Sequence, residues 1–321
     1  MEIHAVSTLT TGDRAARPEA RPPARPPRLR RWLTGWAFVT PAVALFLLMG
    51  VYTIASGFLL SFAKWNGFTP QWTWVGLKNY ADLLYADLTL APELRRALWN
   101  TLQVMVAVPV LTVVVALPLA MMLNSVTRLR ALLRSVYFLP YVTSGIAVYY
   151  AWRYVLQPDG AINLLLGSLG LGSLAQPQGW LGNPGTAMPT LILILVWSSV
   201  PVATLLYLSG LQAIDGNVIE AAQIDGAAPR HVLRHIIWPL LRPITIAIVL
   251  LGVRDALHGF QIFLIMTNGG PGGHTDVLGL MTYRLSFMKG LAPTLGVASA
   301  LGWLLFAGAV LMTLAFGRRV R

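Results

Sequence analysis

Six stretches of this chain are apolar for the length of a membrane crossing and nearly free of charge: Trp36–Phe62, Leu98–Leu123, Ser135–Leu156, Ala187–Leu211, Ile244–Met266 and Leu291–Phe316. A helix needs about 20 apolar residues to cross a bilayer, and inside hydrocarbon only helices or closed barrels satisfy their own backbone. Tyr, Ser and Arg dilute the third stretch most. Of 321 residues, 56% are apolar and 11% charged, whereas soluble domains carry about 25% charged residues. That is too little charge to cover a water-facing surface of ordinary size. The expected fold class is an all-α integral membrane domain with six transmembrane helices.

The formal net charge is +12, and basic chains can bind nucleic acid. Here the charge gathers at the ends of apolar stretches, without aromatic-rich polar surface between, which points to lipid and not to nucleic acid. Seven Arg lie between Arg14 and Arg31. Arg128, Arg130 and Arg134 follow the second stretch, Arg230, Arg234 and Arg242 the fourth, and Arg318, Arg319 and Arg321 end the chain. With both termini inside, sixteen Lys and Arg fall in the cytoplasm and seven outside, leaving Arg254 within a span. The positive-inside rule selects that orientation.

Residues 1–31 are rich in Pro, Arg and Ala with no apolar period, so a disordered cytoplasmic tail is expected before a transmembrane domain over 32–321. The apolar stretch after it is too long for a signal peptide and lacks a small-residue cleavage site, which makes it an uncleaved first span. With no cysteine, a disulfide framework, cysteine-ligated zinc and iron–sulfur clusters are excluded.

Between the fourth and fifth stretches, over 215–243, lies "DGNVIEAAQIDGAAPRHVLRHIIWPLLRP". Asn217 with Glu220 three residues on fits a capping box, and Gly226 supplies a left-handed helix stop. Ala221 and Ala222 keep one side slim, while Val218, Ile219 and Ile224 offer an apolar grip. Pro229 suits the start of a second helix, which Pro239 and Pro243 should kink or end. Such a helical elbow either docks in a groove on a partner or packs only against its own bundle.

In the fifth stretch, "GVRDALHGFQIF" places Arg254, Asp255 and His258 near mid-membrane, where each charge costs about 2.5–3.5 kcal/mol on insertion scales. Arg254, His258 and Gln261 are spaced to share one helix face. That face suits sugar hydroxyls, with Phe260 or Phe263 available to stack a ring. The alternative is an Arg254–Asp255 pair held by neighbouring helices for structure alone.

Other chemistry finds little support. No Gly-x-x-x-x-Gly-Lys-Ser/Thr sequence is present to cradle ATP phosphates, and "GGPGG" at 269–273 reads as an outer turn. His231 and His235 lack the Glu and third ligand of a zinc-protease helix. No catalytic triad can be assembled from spacing, and no cofactor or metal site is expected.

The loop closely resembles that of ABC importer permeases, whose pattern Glu220, Ala221, Ala222, Asp225, Gly226, Ala227, Ile236, Pro239 and Pro243 match in place. Leu233, Trp238 and Asp215-Gly216 depart from it. "VGLKNY", "LWNTL", "FLPYV", "LQPDGAINLLL", "LSGLQAI" and "TNGGPGG" match the carbohydrate, maltose-type first-permease subgroup, and together the motifs cover about residues 33–321 in order. The resemblance implies a six-helix permease of a bacterial inner membrane whose loop is a coupling helix seated on an ATPase. It implies as partners two ATP-binding cassette subunits carrying ATP and Mg, a second, different permease and an external solute-binding protein. Membrane lipids are a further partner expected from the composition. A phosphorylated polyol or other anionic solute stays open because of Arg254. A stand-alone secondary transporter would need no such loop and typically shows two related halves.

Overall fold

The computed structural model describes residues 28–125, 141, 143, 145–288, 292 and 294–317. Residues 1–27 of the tail, most of "FLPYV" and the arginines at 128, 130, 134, 318, 319 and 321 lie outside the described residues, whereas Arg28–Arg31, expected in the disordered tail, already belong to a helix. Contacts divide the chain into two units, up to Ala55 and from Ser56 onward.

The first unit holds helix α1, Arg28–Leu45, a wide turn over Phe46–Val51, and the start of α2, Tyr52–Leu60. The apolar helical segment that starts here runs from Gly35 to Leu60, within two residues of the expected first span. In the second unit, strands β1 (Ala63–Lys64) and β2 (Thr73–Trp74) form a small antiparallel hairpin, followed by helix α3, Lys78–Ala81. Asn79 fastens the hairpin by donating to the carbonyls of Ser61 and Ala63, both at 2.9 Å.

Three long helices form the centre: α4 (Leu90–Ser125), α7 (Pro184–Gln212) and α10 (Trp238–His258). Between the first two lie α5, Gly145–Val155, and α6, Ala161–Ser168. Helices α8 (Gly216–Ile224) and α9 (Pro229–Val232) form the elbow before α10. After it come α11 (Gln261–Met266), α12 (Leu278–Tyr283) and α13 (Leu295–Gly317).

The core sits where α4, α7 and α10 meet. Small residues let the helices approach: Ala116, Ala120 and Ala203 pack with Tyr207, Leu208 and Leu241. Nearer α11, Val104 and Val108 pack against Leu191, Ile194, Ile262 and Phe263. Gly252 marks a close approach of α10 to α4, for a Cβ there would lie 2.7 Å from Pro109 Cγ.

Four described helical segments are long and apolar enough to cross a membrane: Gly35–Leu60, Leu90–Ser125, Pro184–Gln212 and Pro229–His258. The sixth expected span is helical over Leu295–Gly317. In the third, a helix runs over Gly145–Val155, and 135–140, 142 and 144 lie outside the described residues.

The fifth span departs most from expectation. Its helix begins at Pro229 and stops at His258, where an uninterrupted Ile244–Met266 was expected. Pro239 and Pro243 do not end it, because a wide turn over Leu233–Ile237 precedes them and makes room for a ring and a missing N–H. The stop falls at Gly259, which is extended at ψ 109, and Phe260 leads into α11.

Candidate functional site

The elbow begins two residues earlier than its sequence indicated. Asp215, not Asn217, caps α8: its Oδ1 accepts the Asn217 N–H at 3.0 Å. Val218 then occupies the position where a capping box needs an acid, so Glu220 stands free on an exposed turn. The C-terminal signal was correct. Gly226 sits at φ +81, and the Gly226 and Ala227 N–H groups donate to the carbonyls of Gln223 and Ala222 at 3.0 and 2.9 Å. These are the two bonds of a Schellman stop. Pro229 opens α9 as expected.

Ala221 and Asp225 are exposed, Ala222 and Ala227 half-buried, and Ile224 is 87% exposed at the tip. Ile236 lies half-buried in the wide turn, and Pro239 is exposed just beyond it. Because α9, the wide turn and α10 run without a break from Pro229 to His258, one 30-residue rod about 45 Å long joins the elbow to the intramembrane polar groups.

Those groups gather at the end of the rod. Arg254 and Asp255 line a cavity of about 400 Å³ between α4, α7 and α10, with Thr112, Ser198 and Ser199 opposite. A neighbouring cavity of about 460 Å³ continues past Asp255 to His258, Phe260 and Gln261, and to Tyr149 on α5. All five expected pathway residues therefore meet in one cleft, though not by the expected geometry. The helix break at Gly259 separates Gln261 from the face of Arg254 and His258, so the three converge through a bend and not along one stripe. Phe263 also borders this cavity but is 1% exposed and packed in the core, which leaves Phe260 as the more accessible ring. Phe260 stacks on Tyr283, with ring centroids 4.8 Å apart.

Arg254 pairs with its own neighbour: Nε and Nη2 both donate to Asp255 Oδ1, at 3.0 and 2.7 Å. The His258 Nδ1 lies 3.0 Å from the Arg254 carbonyl. Ser198, Ser199, Thr112 and Tyr149 were not singled out in the sequence, since single hydroxyls on apolar helices carry no pattern.

A second polar assembly, also unforeseen, holds the glycine-rich turn. "TNGGPGG" is a turn as expected, with Asn268, Gly269, Gly272 and Gly273 at positive φ. Asn100 Nδ2 donates to the carbonyls of Gly273 and Asp276 at 3.1 and 2.7 Å, and the Leu278 N–H donates to Thr101 Oγ1 at 3.0 Å. Arg284 pairs with Asp276. Burial lowers the Arg284 pKa from its ordinary value, and Glu93 acts in the opposite direction. Two of the motifs quoted above, "LWNTL" and "TNGGPGG", are thus one clamp, bridged across more than 170 residues of chain.

Comparison with known proteins agrees with this architecture. Residues 90–321 match the family described as "Binding-protein-dependent transport system inner membrane component". A probable ABC transporter permease of Bacillus subtilis is 33% identical over 267 residues, covering 82% of this chain and 88% of that protein. The trehalose/maltose transport system permease of Thermococcus litoralis is 31% identical, covering 78% and 82%. A chain from the crystal structure of a bacterial alginate ABC transporter, in complex with a pentasaccharide-bound periplasmic protein, superposes with a TM-score of 0.75 at 22% identity, covering 91% of this chain and 96% of that one. At that identity the likeness speaks for the fold.

Proposed function

The chain belongs to the family of binding-protein-dependent transport system inner membrane components, and from that premise we propose that it is the permease subunit of an ATP-driven importer for a sugar or sugar-like solute. Relatives named for trehalose, maltose and multiple sugars support the solute class. The observation that carries the mechanism is the unbroken helix from Pro229 to His258. One end is the exposed elbow, and the other carries the polar groups of the cleft.

The elbow, with Glu220, Ala221, Ala222, Asp225, Gly226, Ala227, Ile236 and Pro239, is the docking element for an ATP-binding cassette subunit. Two such subunits would carry ATP and Mg, a second, different permease would complete the membrane part, and a solute-binding protein would deliver from outside. The positive-inside count supports cytoplasmic termini and a cytoplasmic elbow. Closure of the ATPases would move the elbow as a rigid body, and the rod would carry that motion to Arg254, Asp255, His258, Phe260 and Gln261, where solute passes by alternating access.

Ile224→Glu tests this. The side chain supports nothing in the fold at 87% exposure, so a charge there should leave the protein intact. In proteoliposomes holding the complete complex, uptake and stimulated ATP hydrolysis should fall together about tenfold or more, as expected for a charge forced into an apolar docking contact. Binding of solute to its external protein should be unchanged. Unaltered uptake would show that the elbow only packs against its own bundle.

A further inference from the structure

We propose that Asp255 sets the charge of the solute admitted by the cleft: by masking Arg254 it favours an uncharged, hydroxyl-rich solute, and without it the same cleft turns toward anionic ones. The inference rests on the importer reading above and adds the charge class of the solute.

The Arg254–Asp255 pair is not accounted for by stability. Its side chains are 66% and 64% exposed, and an ion pair so open contributes little to folding. Among the described residues no other side chain bonds either partner, so the pair is not held by neighbouring helices. It stands instead at the wall shared by both cavities, since Asp255 lines each of them.

The geometry leaves specific valences open. Both guanidinium donors used go to one oxygen, Oδ1. Arg254 Nη1 and Asp255 Oδ2 take no bond among the described residues, which puts a charged donor beside a charged acceptor. Adjacent hydroxyls of a sugar need that combination, because each hydroxyl both donates and accepts. Opposite, the Thr112 hydroxyl is buried without a hydrogen-bond partner and lines the same cavity.

The remaining described lining adds no formal charge. Helix α4 presents Val104, Val108 and Thr112, α7 presents Ser198 and Ser199, and α5 presents Tyr149. Beside the pair stand the His258 imidazole, the Gln261 amide and the Tyr141 hydroxyl. An anionic solute would have to displace a carboxylate already 2.7 Å from the guanidinium while being repelled by it. Selectivity by repulsion is as effective as selectivity by attraction.

The test uses the complete complex in nanodiscs, without binding protein, so that the external protein does not filter the solutes. Saturation-transfer NMR would compare maltotriose with trigalacturonate, for the wild-type chain and for Asp255→Asn, which keeps shape and removes charge. Wild type should favour maltotriose, and the variant should shift the ratio of apparent affinities toward trigalacturonate about tenfold or more, the scale of one charged hydrogen bond. A ratio that stays the same, a wild-type preference for trigalacturonate, or no transfer to either sugar in either form would overturn the inference. ATP-driven uptake of a solute presented by the binding protein, measured on the same wild-type complex, keeps the two failures apart. Uptake with an unmoved ratio sinks only the role of Asp255, whereas absent uptake sinks the importer reading.

Discussion

The Tyr207 hydroxyl donates to Thr245 Oγ1 at 2.9 Å, joining α7 to α10 midway between the elbow and the cleft. Tyr207 is fully buried, and Thr245 donates onward to the Leu241 carbonyl at 3.1 Å. The bond is therefore one step in a chain of donors that fixes the rod against α7.

Tyr207→Phe removes that step without leaving an unsatisfied donor, since Thr245 keeps its bond to Leu241. A loss of about 1 kcal/mol is expected, seen as a thermal midpoint of the purified complex lower by about 2–4 °C. Tyr207→Ala would instead empty a fully buried ring site and cost about 3–5 kcal/mol, the range for aromatic truncations. A Tyr207→Phe variant as unstable as Tyr207→Ala would mean that the hydroxyl, not the ring, dominates this contact.

Asn100→Ala should loosen the outer clamp selectively. It withdraws both donors from the Gly273 and Asp276 carbonyls, and a buried acceptor left unpaired costs about 1–3 kcal/mol. Hydrogen exchange should accelerate in the turn over 268–278 and stay unchanged in the elbow. Exchange rising equally in both would deny the clamp its local role.

The sequence made the spans and the elbow legible for a physical reason: both are written in short-range pattern. Lipid demands runs of apolar residues, and the Schellman stop demands Gly226, so each can be read from neighbours. Features made by distant pairs were not legible. Nothing near Asn100 announces Gly273, and nothing near Pro109 announces Gly252. The cap at Asp215 was missed because Asn217 and Glu220 offered an equally regular box two residues later. The fifth span was misread because proline usually ends a helix, whereas the wide turn over Leu233–Ile237 absorbed it. The stop came instead at Gly259, an ordinary glycine in an apolar stretch.

Acid should fray the start of α4 before it disturbs the bundle. Asp87 Oδ1 accepts from the N–H groups of Leu90 and Thr89, at 3.0 and 2.8 Å, and from the Thr89 hydroxyl. The Leu90 N–H is the largest cause holding the Asp87 pKa below its ordinary value, with Thr89 adding to it. A carboxyl depressed in the folded state contributes stability that is present above its unfolded pKa of about 3.9 and is lost as pH falls through the folded value. Exchange protection of Ala91 and Glu93 should thus decline below about pH 4 and be weak at every pH in Asp87→Ala. A decline already complete at neutral pH would rule out this carboxylate as the cap.

Gly252→Val should damage transport while sparing the elbow. The added Cβ meets the Pro109 ring at 2.7 Å, and a pyrrolidine ring cannot turn aside, so α4 and α10 must separate at the cleft wall. Overpacking of this kind costs about 1–3 kcal/mol. Uptake should fall while the ATPase subunits still copurify, because the elbow lies at the far end of the rod. Loss of the ATPase subunits from the complex would show that the strain spreads along the whole helix.

The left-handed turn at Gly226 gives a graded test of whether elbow shape matters to coupling. A Cβ at this position meets nothing within 4 Å, so the cost of any substitution comes from the backbone at φ +81 and not from a clash. Asn tolerates that conformation best among residues with a side chain, Ala pays about 1 kcal/mol, and a β-branched Val is a true outlier. As the cost rises, the bonds from Gly226 and Ala227 back to Gln223 and Ala222 weaken, and the last turn of α8 carrying Ile224 loses its fixed direction. Stimulated ATP hydrolysis by the complete complex should therefore fall in the order Gly226→Asn, Gly226→Ala, Gly226→Val, with Asn close to wild type. Solute binding to the external protein stays constant through the series. Three equal activities would show that docking does not read the direction of this turn.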